Sequence, residues 1–221
     1  MAIIVDKRFI EKAIELWGDK HEILPSFCCE KLQPPINSHP DMTITPVGDI
    51  FVCCPEGYNY YKKLLGDRVV SGRTSLFCDY PHDIAYNVLV YKNFAFCREE
   101  YTDSVVKAEL TKRNIKIINV NQGYAKCSAA VCDEGVITAD KGIFSAATAS
   151  GINTLLIAPG HVKLAGYEYG FIGGASGVID GELNFFGSVT KHPDFEKINE
   201  FCKCKYFDGF PLTDIGTIFC I

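Results

Sequence analysis

No stretch of this 221-residue sequence approaches the roughly 20 consecutive apolar residues that a membrane crossing requires. No Lys/Arg cluster stands out and the net charge is −5, which argues against nucleic acid and the basic footprint it demands. No window is of low complexity or polar enough to be disordered. The opening Met-Ala-Ile-Ile-Val-Asp-Lys lacks the layout of a signal peptide, so a cytoplasmic protein is expected. No CxxC pair occurs, and Cys202-x-Cys204 has no obvious His partners, so neither a metal site nor a cofactor is expected.

What is present suits one well-filled domain over residues 1–221: 48% hydrophobic and 12% aromatic residues are ample for a core. The eleven cysteines are odd in number. Cys53, Cys54, Cys78, Cys97, Cys132 and Cys202 fall inside apolar runs and read as reduced thiols serving as small hydrophobes. Trp17 and the other aromatics read as core.

The chain repeats a unit. Asp83–Cys97, Gly123–Thr138 and Gly170–Phe186 each hold an apolar run, a turn and a second apolar run, followed by a helix-like stretch and a short strand. The turns centre near Lys92, Glu134 and Gly181, a period of 42 and then 47 residues (134 − 92, 181 − 134). A repeat of that length denotes an array. Helices are expected over Glu99–Arg113, over Lys141–Ala149, and from the Lys191-His-Pro-Asp-Phe segment onward. A first, degenerate unit is expected over Ile44–Val70, with Ile44–Cys54 as one strand. The last unit is split: Asp214–Ile221 supplies a first strand, and Ala2–Val5, Lys7–Trp17 and Glu22–Leu24 supply the strand, helix and strand that complete it. Pairing the two ends closes the ring and leaves no open sheet edge.

Five β-β-α-β units about a pseudo-fivefold axis resemble the pentein, or guanidino-group-modifying enzyme, fold, an α/β propeller. Asp83-Ile-Ala-Tyr-Asn-Val-Leu-Val90, Asn119-Val-Asn-Gln-Gly-Tyr-Ala-Lys-Cys-Ser128 and the segment Ala158–Gly177 resemble an uncharacterised bacterial family assigned to that fold. The resemblance implies first strands lining a central channel with the site at one end. The catalytic branch of the fold, which includes arginine and agmatine deiminases and amidinotransferases, uses a Cys nucleophile, a His acid/base and carboxylates that hold a guanidinium. Ile215-Gly-Thr-Ile-Phe-Cys-Ile221 is similar to the agmatine deiminase ending, but Phe219 stands where that family has His. Gln122–Ser128, where the catalytic His is expected, has none. Gly160-His-Val-Lys163 is similar to the Gly-His-x-Asp of those enzymes, with Lys163 replacing the carboxylate.

The candidates follow from strand starts and exposed turns. Cys127 beside Lys126 reads as a nucleophile whose thiol a neighbouring cation lowers, and Cys220 is the second candidate. His161, exposed after Pro159-Gly160, reads as the acid/base. Asp83, Asn87, Gln122, Lys126, Ser128, Lys163 and Asp214 read as ligand-binding, with Asp83 and Asp214 anchoring a cation. Lys126 and Lys163 favour a ligand that also carries a carboxylate. Gly173–Gly177 permits close backbone approach. Of two His-Pro-Asp triplets, His192–Asp194 reads as a helix start, and His39–Asp41 as a loop-to-strand turn from which His39 reaches the site. A small polar ligand, guanidino, amidino or zwitterionic, is expected at the axial mouth, bound or modified. The alternative is a non-catalytic module, as in the ribosome anti-association factor of this fold, with a protein partner or a second copy of the chain left open.

Overall fold

The computed structural model describes residues 2–221. The chain opens with β1 (Ala2–Val5), α1 (Ile10–Trp17) and β2 (Glu22–Pro25). A one-turn helix, α2 (Pro40–Thr43), leads into β3 (Ile44–Val47), β4 (Ile50–Cys53), α3 (Tyr58–Leu65) and β5 (Val69–Ser71). β6 (Leu89–Tyr91), β7 (Phe94–Cys97), α4 (Ser104–Lys112) and β8 (Lys116–Asn119) follow. A second one-turn helix, α5 (Ala125–Ser128), leads into β9 (Ala129–Cys132), β10 (Gly135–Thr138), α6 (Lys141–Ala149) and β11 (Thr154–Leu156). β12 (Ser176–Ile179), β13 (Glu182–Phe185), α7 (Phe195–Phe201) and β14 (Cys204–Lys205) form the next unit, and β15 (Phe219–Cys220) ends the chain.

Each unit is a three-stranded mixed sheet: the first strand pairs antiparallel with the second, and a helix carries the second over to a parallel third. The fifth sheet, β15-β1-β2, joins the two ends of the chain, with Ile3 opposite Cys220 and Ile4 opposite Phe219. The architecture is the five-unit pentein propeller. No helix among the described residues is long and apolar enough to cross a membrane.

Local chemistry explains the units. The Asp180-Gly181 turn has positive φ at both residues (53° and 76°), the mirror-image turn that matches strand twist. Asp140 caps α6 by accepting the Ile143 N–H at 2.8 Å. Asp103 caps α4, so that helix is shorter than the expected Glu99–Arg113. α7 begins at Phe195, later than expected; Asp194 stands at its N-cap position, but its carboxylate accepts the Ala158 N–H and Lys197 Nζ instead of capping the helix.

The first unit is complete rather than degenerate. Its single expected strand is the β3–β4 hairpin, turned at Gly48 with φ 62°. Pro46 in β3 removes one ladder donor and masks the strand pattern. The cysteines are free, and most are buried, but Cys78 lies exposed rather than inside.

Candidate active site

The starts of the first strands gather at one end of the ring, and a cavity of about 290 Å³ opens there. Its walls are Tyr124, Phe171, Tyr167, Tyr169 and Leu164, joined by Ile36 and Met42. Glu168, Tyr167 and Tyr169 sit on exposed chain, and Cys127, His39 and Asp214 complete the lining. All three of the last are buried, at 4%, 1% and 2% exposure. They come from three distant stretches that only ring closure brings together.

Asn87 ties two of these stretches. Its Nδ2 donates to the Asp41 carbonyl at 3.2 Å and to Cys127 Sγ at 3.0 Å. Its Oδ1 accepts the backbone N–H groups of Lys126 and Cys127 at 2.8 and 3.3 Å. The Cys127 thiol donates to Asp41 Oδ2 at 3.0 Å, and the Thr217 hydroxyl reaches the same oxygen at 2.7 Å. Asp41 Oδ1 is buried without a partner. Asp214 is fixed by backbone N–H groups, from Gly216 to Oδ1 (2.9 Å) and from Phe171 to Oδ2 (2.8 Å). His39 stands between two carboxylates, with Nδ1 3.7 Å from Asp214 and Nε2 3.8 Å from Asp6. Asp6 itself forms an ion pair with Arg8.

Burial dominates the electrostatics. It pushes the Asp41 and Asp214 carboxyls up from the ordinary range, against the hydrogen bonds and the Lys126 charge that lower Asp41, and against His39 beside Asp214. It lowers His39 against the pull of Asp214 and Asp6, so the imidazole is neutral near pH 7. It lowers Lys126, which Asp41, Cys127 and Asp214 oppose.

Cys127 moves opposite to the sequence expectation. Burial, the charges of Asp41 and Asp214 and the bond to Asp41 push its thiol well up, outweighing the Asn87 amide, which acts the other way. Lys126 is adjacent in sequence but does not line the cavity. In the resting protein Cys127 is therefore a protonated thiol whose proton already points at a carboxylate. The expected alkylation rate of Cys127 rises about tenfold per pH unit through pH 9, without a plateau. In Asp41→Asn, which removes a charge opposing the thiolate, the rate at pH 8 should rise about tenfold. A pH series with iodoacetamide and peptide mapping measures both, and a wild-type plateau below pH 8 would contradict the assignment.

The remaining candidates separate. Asp83 is buried and accepts the Tyr124 hydroxyl at 2.6 Å, so it braces a cavity wall from outside the cavity lining. Gln122 and Ser128 line a second, smaller cavity of about 130 Å³ that shares Tyr169 and Phe171 with the first. His161 is exposed, as expected of its turn, but its ring packs 5.3 Å from that of His192 and lines neither cavity. Lys163 is exposed on a third depression of about 520 Å³, which shares His39, Leu164 and Asp214 with the axial cavity. Cys220 pairs with Ile3 near Asp180, at the hairpin-turn end of the ring, and burial raises its thiol to about 11. The site that holds Cys127 therefore contains neither His161 nor Cys220. The histidine that lines this cavity is His39, not His161.

Asp41 and Thr217 were not legible as site residues. A signal for Asp41 exists in the repeat. α2 and α5 are both one-turn helices placed immediately before a first strand, so Asp41 and Lys126 hold matching positions in their units. His192–Asp194 is a local clasp, with Asp194 N–H donating to His192 Nδ1 at 3.1 Å.

The fold has solved relatives. A dimethylarginine dimethylaminohydrolase in an adduct with S-methyl-L-thiocitrulline superposes with a TM-score of 0.57 at 11% identity, covering 94% of this chain and 92% of that one. A second adduct of such a hydrolase, with 4-chloro-2-hydroxymethylpyridine, gives 0.57 at 10% identity over 94% and 92%. The Pseudomonas aeruginosa enzyme complexed with citrulline gives 0.57 at 9% identity over 94% and 91%. At these identities the likeness is one of fold. Comparison with curated proteins finds no match. Residues 4–219 match the model of a family described as a family of unknown function, DUF6873, and the chain belongs to that family.

Proposed function

We propose that the axial cavity takes a small cationic molecule, an amidine or guanidine, or a zwitterion built on one, and that Cys127 is the nucleophile that attacks it. One observation carries this reading. Cys127, His39 and Asp214 line one aromatic-walled cavity, with the Asp41 carboxylate 3.0 Å from the sulfur. Aromatic faces and a buried carboxylate suit a planar cation. For a zwitterion, the shared wall at Asp214 puts the cationic head in the axial cavity and a carboxylate toward Lys163 in the neighbouring depression.

The chemistry follows from the charges. An arriving cation offsets the charges of Asp41 and Asp214, which after burial are what hold the thiol protonated. Sγ then bonds the amidine carbon while its proton passes to Asp41, made more basic by burial. The C–N bond breaks and the amine departs with that proton. Water next attacks the carbon of the Cys127 adduct and neutral His39 accepts one of its protons. The S–C bond breaks and the sulfur leaves as a thiol with the other. An amine in place of water makes the same step an amidino transfer.

The test compares 2-chloroacetamidine with the neutral chloroacetamide, each referred to its rate with free cysteine. Cys127 should be labelled with about a hundredfold preference for the cation, the kinetic equivalent of roughly 2–3 kcal/mol of charge-assisted contact. Asp214→Asn should remove the preference. Slow labelling without preference would end the thiol reading.

A second reading, a ligand-binding protein without catalysis, draws on the direction in which Cys127 titrates. It expects amidines to raise the melting temperature while Cys127 stays unlabelled.

A further inference from the structure

The turn end of the ring, away from the axial cavity, holds a second chemical cluster. Cys132 ends β9, Glu134 lies in the β9–β10 turn, and Cys202 directly follows α7 of the next unit. Their ligand atoms all lie within 4.8 Å of one another. Both cysteines are buried, at 6% and 4% exposure, while Glu134 is exposed. None of the three lines the axial cavity. The sequence hides the grouping, because the pair is assembled by packing between two units and not by a short CxxC spacing.

The arrangement is unfavourable by itself. Three groups that are anionic when deprotonated converge, and among the described residues Glu134 has no ion-pair partner. The nearby Lys203 is engaged with Glu182 at 3.2 Å.

We propose that Cys132, Cys202 and Glu134 form a zinc site that fastens the hairpin of the third unit to the helix of the fourth. Two thiolates select a borderline or soft ion over magnesium or calcium, and the carboxylate favours Zn(II) over Cu(I). Ligand atoms on a tetrahedron around zinc lie about 3.3–3.8 Å apart, within a small adjustment of the spacing observed. The exposed side of Glu134 leaves the fourth position to water. Binding releases up to two protons, one from each thiol.

Cobalt(II), a spectroscopic substitute for zinc, tests the assignment on the full-length reduced protein. One equivalent should produce thiolate-to-cobalt charge-transfer absorption, be displaced by zinc, and release one to two protons in unbuffered solution. The absorption should be lost in Cys132→Ser and in Cys202→Ser. Glu134→Gln, on an exposed turn and without effect on folding, should weaken zinc binding about tenfold, the loss of one charged ligand contact. Zinc should also raise the melting temperature of the wild type and less so that of Glu134→Gln. No charge-transfer absorption at a tenfold excess of cobalt overturns the site, as does absorption that survives both serine variants. Should those variants fail to fold, an unchanged zinc affinity in Glu134→Gln overturns it equally.

Discussion

Gly174→Ala is expected to dismantle the axial site and to lower stability by about 2–4 kcal/mol. A Cβ on Gly174 would stand 2.0 Å from Asp214 Oδ1 and 2.4 Å from its Cγ, so one of the two must move. The backbone has little room to yield. Gly174 N–H donates to the Cys127 carbonyl at 2.9 Å, and its own carbonyl accepts Ile215 and Thr217 at 3.0 and 2.8 Å. Asp214 is the part that gives way, and it loses the N–H donors that hold it buried. The expected fall in melting temperature is about 5–15 °C. The expected change in chemistry is the same loss of amidine preference at Cys127 as in Asp214→Asn. Gly181→Ala separates space from strain: φ is 76° there but nothing lies within 4 Å of the added Cβ. Its cost should be only about 1–2 kcal/mol, with the labelling pattern intact. Equal melting temperatures for Gly174→Ala and the wild type would mean that the glycine run is not a packing device.

How far this site could be read from the sequence depends on which interactions are local. The ring was legible because turn chemistry and alternation are local: Asp180-Gly181 and the apolar runs flanking it announce a hairpin without any tertiary information. The split unit was legible because two half-units at the ends have no other partners. The first unit was misjudged at Pro46 and Gly48, and with it went the register that would have aligned Asp41 with Lys126. Strand starts pointed to Cys127, Asn87 and Asp214, and a turn placed His39 in reach.

The sign of the Cys127 shift was not legible. Neighbouring side chains in a helical turn do not face each other, so Lys126 says little about the sulfur beside it in sequence. The group that decides is Asp41, brought to it from far along the chain. The exposure of His161 follows from Pro159-Gly160, as the sequence indicates. Which side of that loop faces the cavity depends on how it packs: the loop's tie to the strand opening at Asp214 is made through the Lys163 backbone, and the cavity wall comes from Tyr167, Tyr169 and Phe171.

The fixity of the Tyr124 side of the wall draws on one carboxylate remote from the cavity. Asp103 is fully buried and takes four backbone N–H groups. Oδ1 accepts Val105 and Val106 at the start of α4, at 2.8 and 3.3 Å. Oδ2 accepts Arg73 and Thr74 at 2.8 and 2.7 Å. It thus joins a helix cap to the long Gly72–His82 loop. The loop in turn carries Tyr80, whose ring lies 5.7 Å from that of the cavity residue Tyr124, and the Tyr86 hydroxyl bonds the Thr74 carbonyl at 2.7 Å. Asp103→Ala is expected to cost about 3–5 kcal/mol, the cap plus two charge-assisted bonds, and to lower the melting temperature by about 8–15 °C. Asp103→Asn should cost less, because its amide oxygen still caps α4 and only the loop bonds are lost. Burial raises the Asp103 carboxyl, but the donors from Arg73, Thr74 and Val105 outweigh it and the net direction is down. Stability from this group is therefore complete above the ordinary carboxylate value near 3.8 and is lost as pH falls through the lower folded value. Denaturant titrations between pH 2 and 7 should show this acid-sensitive part in the wild type and not in Asp103→Ala. In the alanine variant the amidine preference of Cys127 should weaken without vanishing, since Asp214 and Asp41 keep their places while the Tyr80–Tyr124 wall loosens. A stability change below about 1 kcal/mol would show that the loop holds its place without Asp103, through contacts such as the Tyr86–Thr74 and Arg98–Tyr80 bonds.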